Sequence, residues 1–200
     1  MKSHVSRTVS TCFATLRQIR SIRRSVTKPV LLSLVTSLVL SRLDYGSATL
    51  AGLPAYLLDR LQSVLNAAAR LVHSARKYDH VSPLLQDLHW LRMPQRIEYK
   101  LAILTYRCMH GLAPSYLADR LQRVADIDSR RHLRSASTNA LVVPPTRRST
   151  IGDRAFSVAA PRVWNSLPEP VTSSASLPAF KRHLKTALFV RSYPAGFSGI

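Results

Sequence analysis

The sequence predicts a mainly α-helical fold: a helical bundle over residues 1–125, an Arg-rich linker over 126–139, a small α+β segment over 140–191 with short strands and a terminal helix, and a loose tail over 192–200. Three observations carry this expectation. Apolar residues recur at steps of three and four from His4 to His110, the period of an amphipathic helix. Pro, Gly and Ser/Thr stand where such helices would start and stop. Beyond Val124 the texture changes to a polar, Arg-rich stretch with no apolar period, as in a connection or a segment that orders on a partner.

In chain order, Val5, Val9, Cys12, Leu16 and Ile19 share one face of a helix from His4 to about Arg24, with Arg17, Arg20 and Arg24 as a stripe beside it. Thr27 before Lys28 and Pro29, or else Ser25, starts the next helix, whose apolar face is Leu31, Leu34, Val35 and Leu38. Leu43 to Gly52 reads as a connection broken by Gly46 and Gly52. The most continuous stripe runs from Pro54 to about Arg76, through Leu57, Leu58, Leu61, Val64, Leu65, Ala68, Leu71 and Val72. Ser82-Pro83 opens a short helix with Leu84, Leu85 and Leu88. A longer one follows from Pro94 or Gln95 to His110, closed by Gly111, with Ile97, Leu101, Leu104 and Cys108 inward.

The segment Pro54-Ala-Tyr-Leu-Leu-Asp-Arg-Leu-Gln-Ser-Val64 is echoed by Pro114-Ser-Tyr-Leu-Ala-Asp-Arg-Leu-Gln-Arg-Val124. Two copies are too few for a solenoid, so the echo predicts one local solution used twice, a helix opened by proline. Ala140 to Val143, ended by Pro144-Pro145, predicts a strand at a sheet edge. Phe156 and Val158 alternate like a strand, whereas Ala159, Val163, Trp164 and Leu167 fit a helical turn with Pro161 near its start; both readings stand. Ser176-Leu177-Pro178 introduces a last helix packing Phe180, Leu184 and Leu188.

The formal charge is +19 at pH 7, from 29 Lys and Arg against 10 Asp and Glu. Such a chain repels itself and is expected to meet a polyanion. Most of the charge is Arg, whose planar fork suits phosphate oxygens. Arg17, Arg20, Arg23 and Arg24 make the densest helical patch; Arg130, Arg131 and Arg134 make a second cluster, and Arg147 with Arg148 a third. Arg96, Lys100 and Arg107 project within about 40° of one another at 100° per residue and flank a core face. One basic cluster commonly just solubilises a surface; three without nearby acids favour phosphate contact. Tyr78, Trp90, Tyr106 and Trp164 could stack on unpaired bases, although Trp90 and Trp164 fit a core better.

Catalytic chemistry finds little support. Two-metal phosphoryl transfer needs carboxylates clustered around ions about 4 Å apart, and the close pair Asp126 and Asp128 sits in the linker without apolar strand flanks. The 7 histidines and the cysteines Cys12 and Cys108 show no zinc spacing, no disulfide framework and no nucleophile with a base, so no metal or cofactor is expected. Free thiols suit a reducing compartment. Val30 to Leu40 is about half of the roughly 20 apolar residues that a spanning helix needs, and the basic prelude before it is too long for a secretory signal.

Several stretches together resemble the C-terminal portion of reverse transcriptases of non-LTR retrotransposons, of the jockey-like and related long-interspersed-element clades. They are Ser41-Arg-Leu-Asp-Tyr45; Leu57-Leu-Asp-Arg-Leu-Gln62 with Asn66-Ala-Ala-Ala-Arg-Leu-Val72; Leu88-His-Trp-Leu91 with Gln95-Arg-Ile97; Tyr106 to Pro114; and Gly152-Asp-Arg-Ala-Phe-Ser-Val-Ala-Ala-Pro-Arg-Val-Trp-Asn-Ser-Leu-Pro168. The chain departs from the family pattern at Gly46-Ser47, Pro94 and Pro145. The resemblance implies that the first part is a thumb-like helical domain gripping template and primer, and that the catalytic aspartates belong to a palm preceding this region. It also implies an apolar face that would meet a palm or a second copy.

The expectation is therefore a non-catalytic, nuclear or cytoplasmic module that binds RNA, RNA–DNA hybrid or DNA backbone. A rival reading comes from the start of the chain, since Met1 to Leu43 holds Ser, Thr and Arg and no acid, as mitochondrial transit peptides do. The chain would then be a mitochondria-targeted or structural basic protein. A third reading is a retrotransposon remnant without a selected role.

Overall fold

The computed structural model describes residues 1–127 and 139–194, with residues 149 and 150 described in backbone only. They fall into two compact units. Among the described residues, the first comprises Met1–Ser47, Leu53–Arg96 and 192–194; the second comprises Ala48–Gly52, 97–127 and 139–191. The boundary between them at Arg96 falls inside one helix, whose later residues find their partners far downstream.

In the first unit, α1 (Lys2–Ile22) buries Val5, Val9, Cys12, Leu16 and Ile19, the predicted face. Each such side chain withdrawn from water stabilises the unit by about 1.5–3 kcal/mol. α2 (Lys28–Val35) follows Thr27 and merges through a π-helical turn, Thr36–Leu40, into α3 (Ser41–Asp44). The wide turn changes the inward face. Steps of four would drift around an α-helix, but the extra residue per hydrogen-bonded ring absorbs the drift, so Leu31, Val35, Val39 and Leu43 are all buried. Leu38, expected inside, is turned out to 42 % exposure.

α4 (Ala55–His73) packs against α1 and buries Leu57, Leu61, Val64, Leu65, Ala68, Leu71 and Val72. It ends earlier than the sequence suggests, at a left-handed Ser74 (φ 58°) whose N–H reaches back to the carbonyls of Arg70 and Leu71. Arg60 Nη1 donates to Ser6 Oγ at 2.9 Å, which ties the start of α4 to the start of α1. After α5 (Val81–Asp87), α6 (Met93–Met109) opens with its Met93 N–H donating to Gln62 Oε1 at 2.8 Å. Its first turn also holds Arg96, whose Nε and Nη2 donate to the two carboxylate oxygens of Asp44 at 3.0 and 2.8 Å.

The second unit takes the rest of α6 from Ile97, then α7 (Ser115–Ala118), α8 (Ser149–Gly152), α9 (Phe156–Asn165), α10 (Glu169–Thr172) and α11 (Leu177–Ser192) up to Arg191. α6 stops at Gly111, whose φ of 66° suits glycine. Its core is an aromatic stack: Tyr106 lies 4.4 Å from Phe180, ring centre to ring centre, and Phe180 lies 5.8 Å from Trp164. The Tyr106 hydroxyl donates to Ser174 O at 3.1 Å, satisfying the one polar atom of a ring that is 1 % exposed.

The short strands expected in this segment are absent among the described residues. Ala140–Val143 is extended but forms a single isolated antiparallel bridge, Arg123 with Leu141. The Asn165 side chain occupies the place of a neighbouring strand: its Oδ1 accepts from Leu141 N–H at 2.9 Å and its Nδ2 donates to Leu141 O at 2.8 Å. Phe156 and Val158, open to either reading, lie in α9. Its Pro161, five residues after the first helical position, is buried within the helix.

Two outcomes are expected. Phe180→Ala empties the middle of the aromatic stack and should cost about 3–5 kcal/mol, read by urea unfolding. Burial pushes the thiols of Cys12 and Cys108 up from the ordinary range, against the opposing pull of Arg42 and Arg107. The fold thus favours the neutral thiol, a contribution complete below the unfolded-state value and lost as pH rises through the folded one. Alkylation at pH 7.5 should be far slower in the native protein than in urea, and fast native labelling would contradict this burial.

Candidate nucleic-acid interface

Because α1 and α4 are pinned at their starts and run side by side in the same direction, their C-terminal ends come together. A groove of about 530 Å³ opens there. Phe13, Leu16, Ala67 and Leu71 give it an apolar floor, and its walls carry Arg17 and Arg20 from α1 and Arg23 from the turn after it against Arg70, Arg76 and Lys77 from the end of α4 and the loop after it.

Six cations at two helix C-termini have an ordinary structural explanation, since each terminus carries about half a negative charge. Two termini amount to about one unit, well short of six. The nearest carboxylate in sequence is Asp79, and it is engaged: its Oδ2 accepts from the Arg76 N–H at 2.6 Å, shaping the loop that presents Arg76 and Lys77. Arg70 Nη2 donates to the Asp79 carbonyl at 3.1 Å, while Arg70 Nε is a buried donor without an acceptor among the described residues. An open buried donor is costly unless an acceptor reaches it. The groove combines excess positive charge, an unfilled donor and an apolar floor, which suits an anion with a carbon framework.

The other expected contact residues separate. Arg24 is exposed in the turn after α1 and does not line the groove. Arg96 is committed to Asp44, both side chains being mostly buried at 15 % and 23 % exposure. Lys100 and Arg107 are exposed on the part of α6 in the second unit, where Arg107 Nε donates to Leu112 O at 3.2 Å. Arg147 and Arg148 are exposed in that unit too, beside a clasp in which Asp153 Oδ1 accepts from Thr146 Oγ1 at 2.8 Å and Arg162 Nη2 at 2.9 Å. Those two donors hold the Asp153 carboxyl below its usual range, Arg162 contributing most. The clasp therefore contributes above the unfolded carboxylate range and is lost as pH falls through the lowered value. Arg130, Arg131, Arg134 and Asp128 lie outside the described residues.

Sequence reasoning missed Arg70, Arg76 and Lys77. Their signal was present, since cations in a last turn mark a helix end, but nothing in the sequence says that two helix ends share a groove. Of the four candidate stacking residues, Trp90, Tyr106 and Trp164 are core side chains, whereas Tyr78 is 87 % exposed, with Lys77 Nζ 5.6 Å from its ring centre. Among the described residues no His, Cys, Asp and Glu group could hold a metal ion, and no helix is long and apolar enough to cross a membrane. Compared with known proteins, the chain matches no family model, no curated sequence and no solved structure.

The division between structural and free cations can be measured. Arg96→Ala leaves the Asp44 carboxylate without its partner and should destabilise by about 2 kcal/mol, with Lys giving partial rescue because it lacks the two-point fork. Arg20→Ala should leave urea stability within about 0.5 kcal/mol. Equal losses in the two would refute the distinction.

Proposed function

We propose that this chain is a non-catalytic nucleic-acid-binding module that grips phosphate backbone, without sequence readout, in the groove between the ends of α1 and α4. The observation that carries the reading is the six-cation wall over an apolar floor, with the Asp79 carboxylate already engaged. The resemblance to the thumb and following region of a non-LTR retrotransposon reverse transcriptase supports it, because a thumb holds template and primer by their backbones. RNA, RNA–DNA hybrid and DNA are all backbone ligands in this reading; Arg147 and Arg148 are contacts of the second unit, and Arg24 and Lys100 are peripheral.

The transit-peptide reading fares less well on physical grounds. α1 supplies Val5, Val9, Cys12, Leu16 and Ile19 to the core of the first unit, so its removal after import would uncover the facing side of α4. Val30 and Leu38, 47 % and 42 % exposed on α2 and the π turn, are the candidates for the apolar face that a thumb implies. A palm or a second copy would cover them.

If about six phosphates are neutralised, log affinity should fall with log salt at a slope of roughly −4 for single strands and −5 for duplex. Replacing Arg17, Arg20 and Arg23 together by Ser should flatten that slope by about 2 to 3 while leaving the unfolding midpoint nearly unchanged. Fluorescence anisotropy of labelled oligonucleotides from 50 to 300 mM salt reads both. A slope near zero in the unaltered protein would sink the proposal.

A further inference from the structure

α1 has a second groove on its other flank, about 330 Å³ in volume, which no reading so far has used. It is lined by His4, Arg7, Thr8 and Thr11 of α1 with Arg42 and Tyr45 from α3 and its end, and no carboxylate among the described residues lines it. Arg42 Nη1 donates to Thr15 Oγ1 at 3.2 Å, which steadies the guanidinium against α1. The lining is a set of hydrogen-bond donors around a shallow depression, the chemistry of a phosphate contact.

At 100° per residue, His4, Arg7, Thr8 and Thr11 fall on one flank of the buried stripe of α1, and Phe13, Arg17 and Arg20 on the opposite flank. The outward ridge between them is made of short side chains, Ser10 and Ala14, with Ser3 and Ser21 further along. A backbone that crosses α1 there meets Ser10 and Ala14 between Arg7 and Arg17, with Gln18 one turn beyond Ala14.

An aromatic stands at each side. Tyr78, next to Lys77 of the first groove, is 87 % exposed, and Tyr45, in the lining of the second, is 80 % exposed. They are the two most exposed large apolar side chains of the described residues. Neither packing nor solubility accounts for a bare ring beside a cluster of guanidiniums, whereas an unpaired base stacks on such a ring with little regard to its identity.

From this juxtaposition we propose that the ligand is a single strand that saddles α1, its phosphates held in both grooves and two of its bases stacked on Tyr78 and Tyr45. The inference rests on the backbone-binding reading and adds to it the substrate class, unpaired nucleic acid, and a second contact built from Arg7, Arg42 and Tyr45. A duplex keeps its bases stacked on one another, so it can use the cations but not the rings.

The test compares a 12-nucleotide single strand with a blunt duplex of the same sequence, on the full chain, by anisotropy at fixed salt. Tyr45→Ala and Tyr78→Ala should each weaken single-strand binding about tenfold and leave duplex binding within about twofold; the two Phe variants should bind like the unaltered protein. Arg7→Ser with Arg42→Ser should weaken the 12-mer and flatten its salt slope by about 1 to 2. Circular dichroism and urea midpoints of each variant establish that the fold is kept. Equal losses on single strand and duplex, or no loss for Tyr45→Ala in a folded protein, would overturn the saddle while leaving backbone binding intact. A salt-insensitive unaltered protein would instead overturn the backbone reading itself, and this proposal with it.

Discussion

The same-direction packing of α1 on α4 is the constraint on which the rest of the first unit depends. Two helices that run alike cannot be joined by a short turn, so the chain between Ile22 and Ala55 must travel back along their length, and α2, the π turn and α3 are that return. The return path places Arg42 and Tyr45 beside the start of α1, while the common direction places the ends of α1 and α4 side by side. One packing choice, fixed by the buried faces of Val5 to Ile19 and Leu57 to Val72, thereby creates both basic grooves.

Charge is distributed by the same logic. The described acids are mostly used up in structure: Asp44 on Arg96, Asp79 on the Arg76 N–H, Asp87 within 3.4 Å of His73, Asp153 on Thr146 and Arg162, and Glu98 within 3.2 Å of Arg191. Burial pushes the Glu98 carboxyl up from its ordinary range in spite of Arg191, so that pair marks a site of packing more than a source of stability. With the acids so engaged, the grooves keep their positive charge. Eight of the 29 Lys and Arg of the sequence line the two grooves.

The internal echo shows how far local sequence reaches. Pro54 and Pro114 adopt nearly the same conformation, φ −57° with ψ 145° and 143°, and each opens a helix. The first continues to His73; the second stops at Ala118. Propagation differs because the first copy runs on into Asn66-Ala-Ala-Ala-Arg-Leu-Val72, good helix formers with a core to face, whereas in the second copy the backbone of Gln122 and Val124 is taken up by Val142 and Ala140. The stretch from Gly152 to Pro168 has a structural task in this chain: Trp164 donates its indole N–H to Asn139 O, and Asn165 holds Leu141.

The sequence by itself determined the helical class, the position of nearly every long helix and its inward face, the core role of Trp90 and Trp164, and the excess of positive charge. These are readable because an amphipathic period and a helix terminus are local properties of a few successive residues. Tertiary structure alone decided which arginines are free. Arg96 shares a helix face with Lys100 in the sequence, and only the approach of Asp44 turns it into a structural ion pair. Arg70, Arg76 and Lys77 join Arg17, Arg20 and Arg23 only because two distant helices end together. The apolar run at Ala140–Val143 becomes neither strand nor sheet edge because a side-chain amide satisfies its backbone first. In each case the deciding partner lies tens of residues away, where no local pattern reaches.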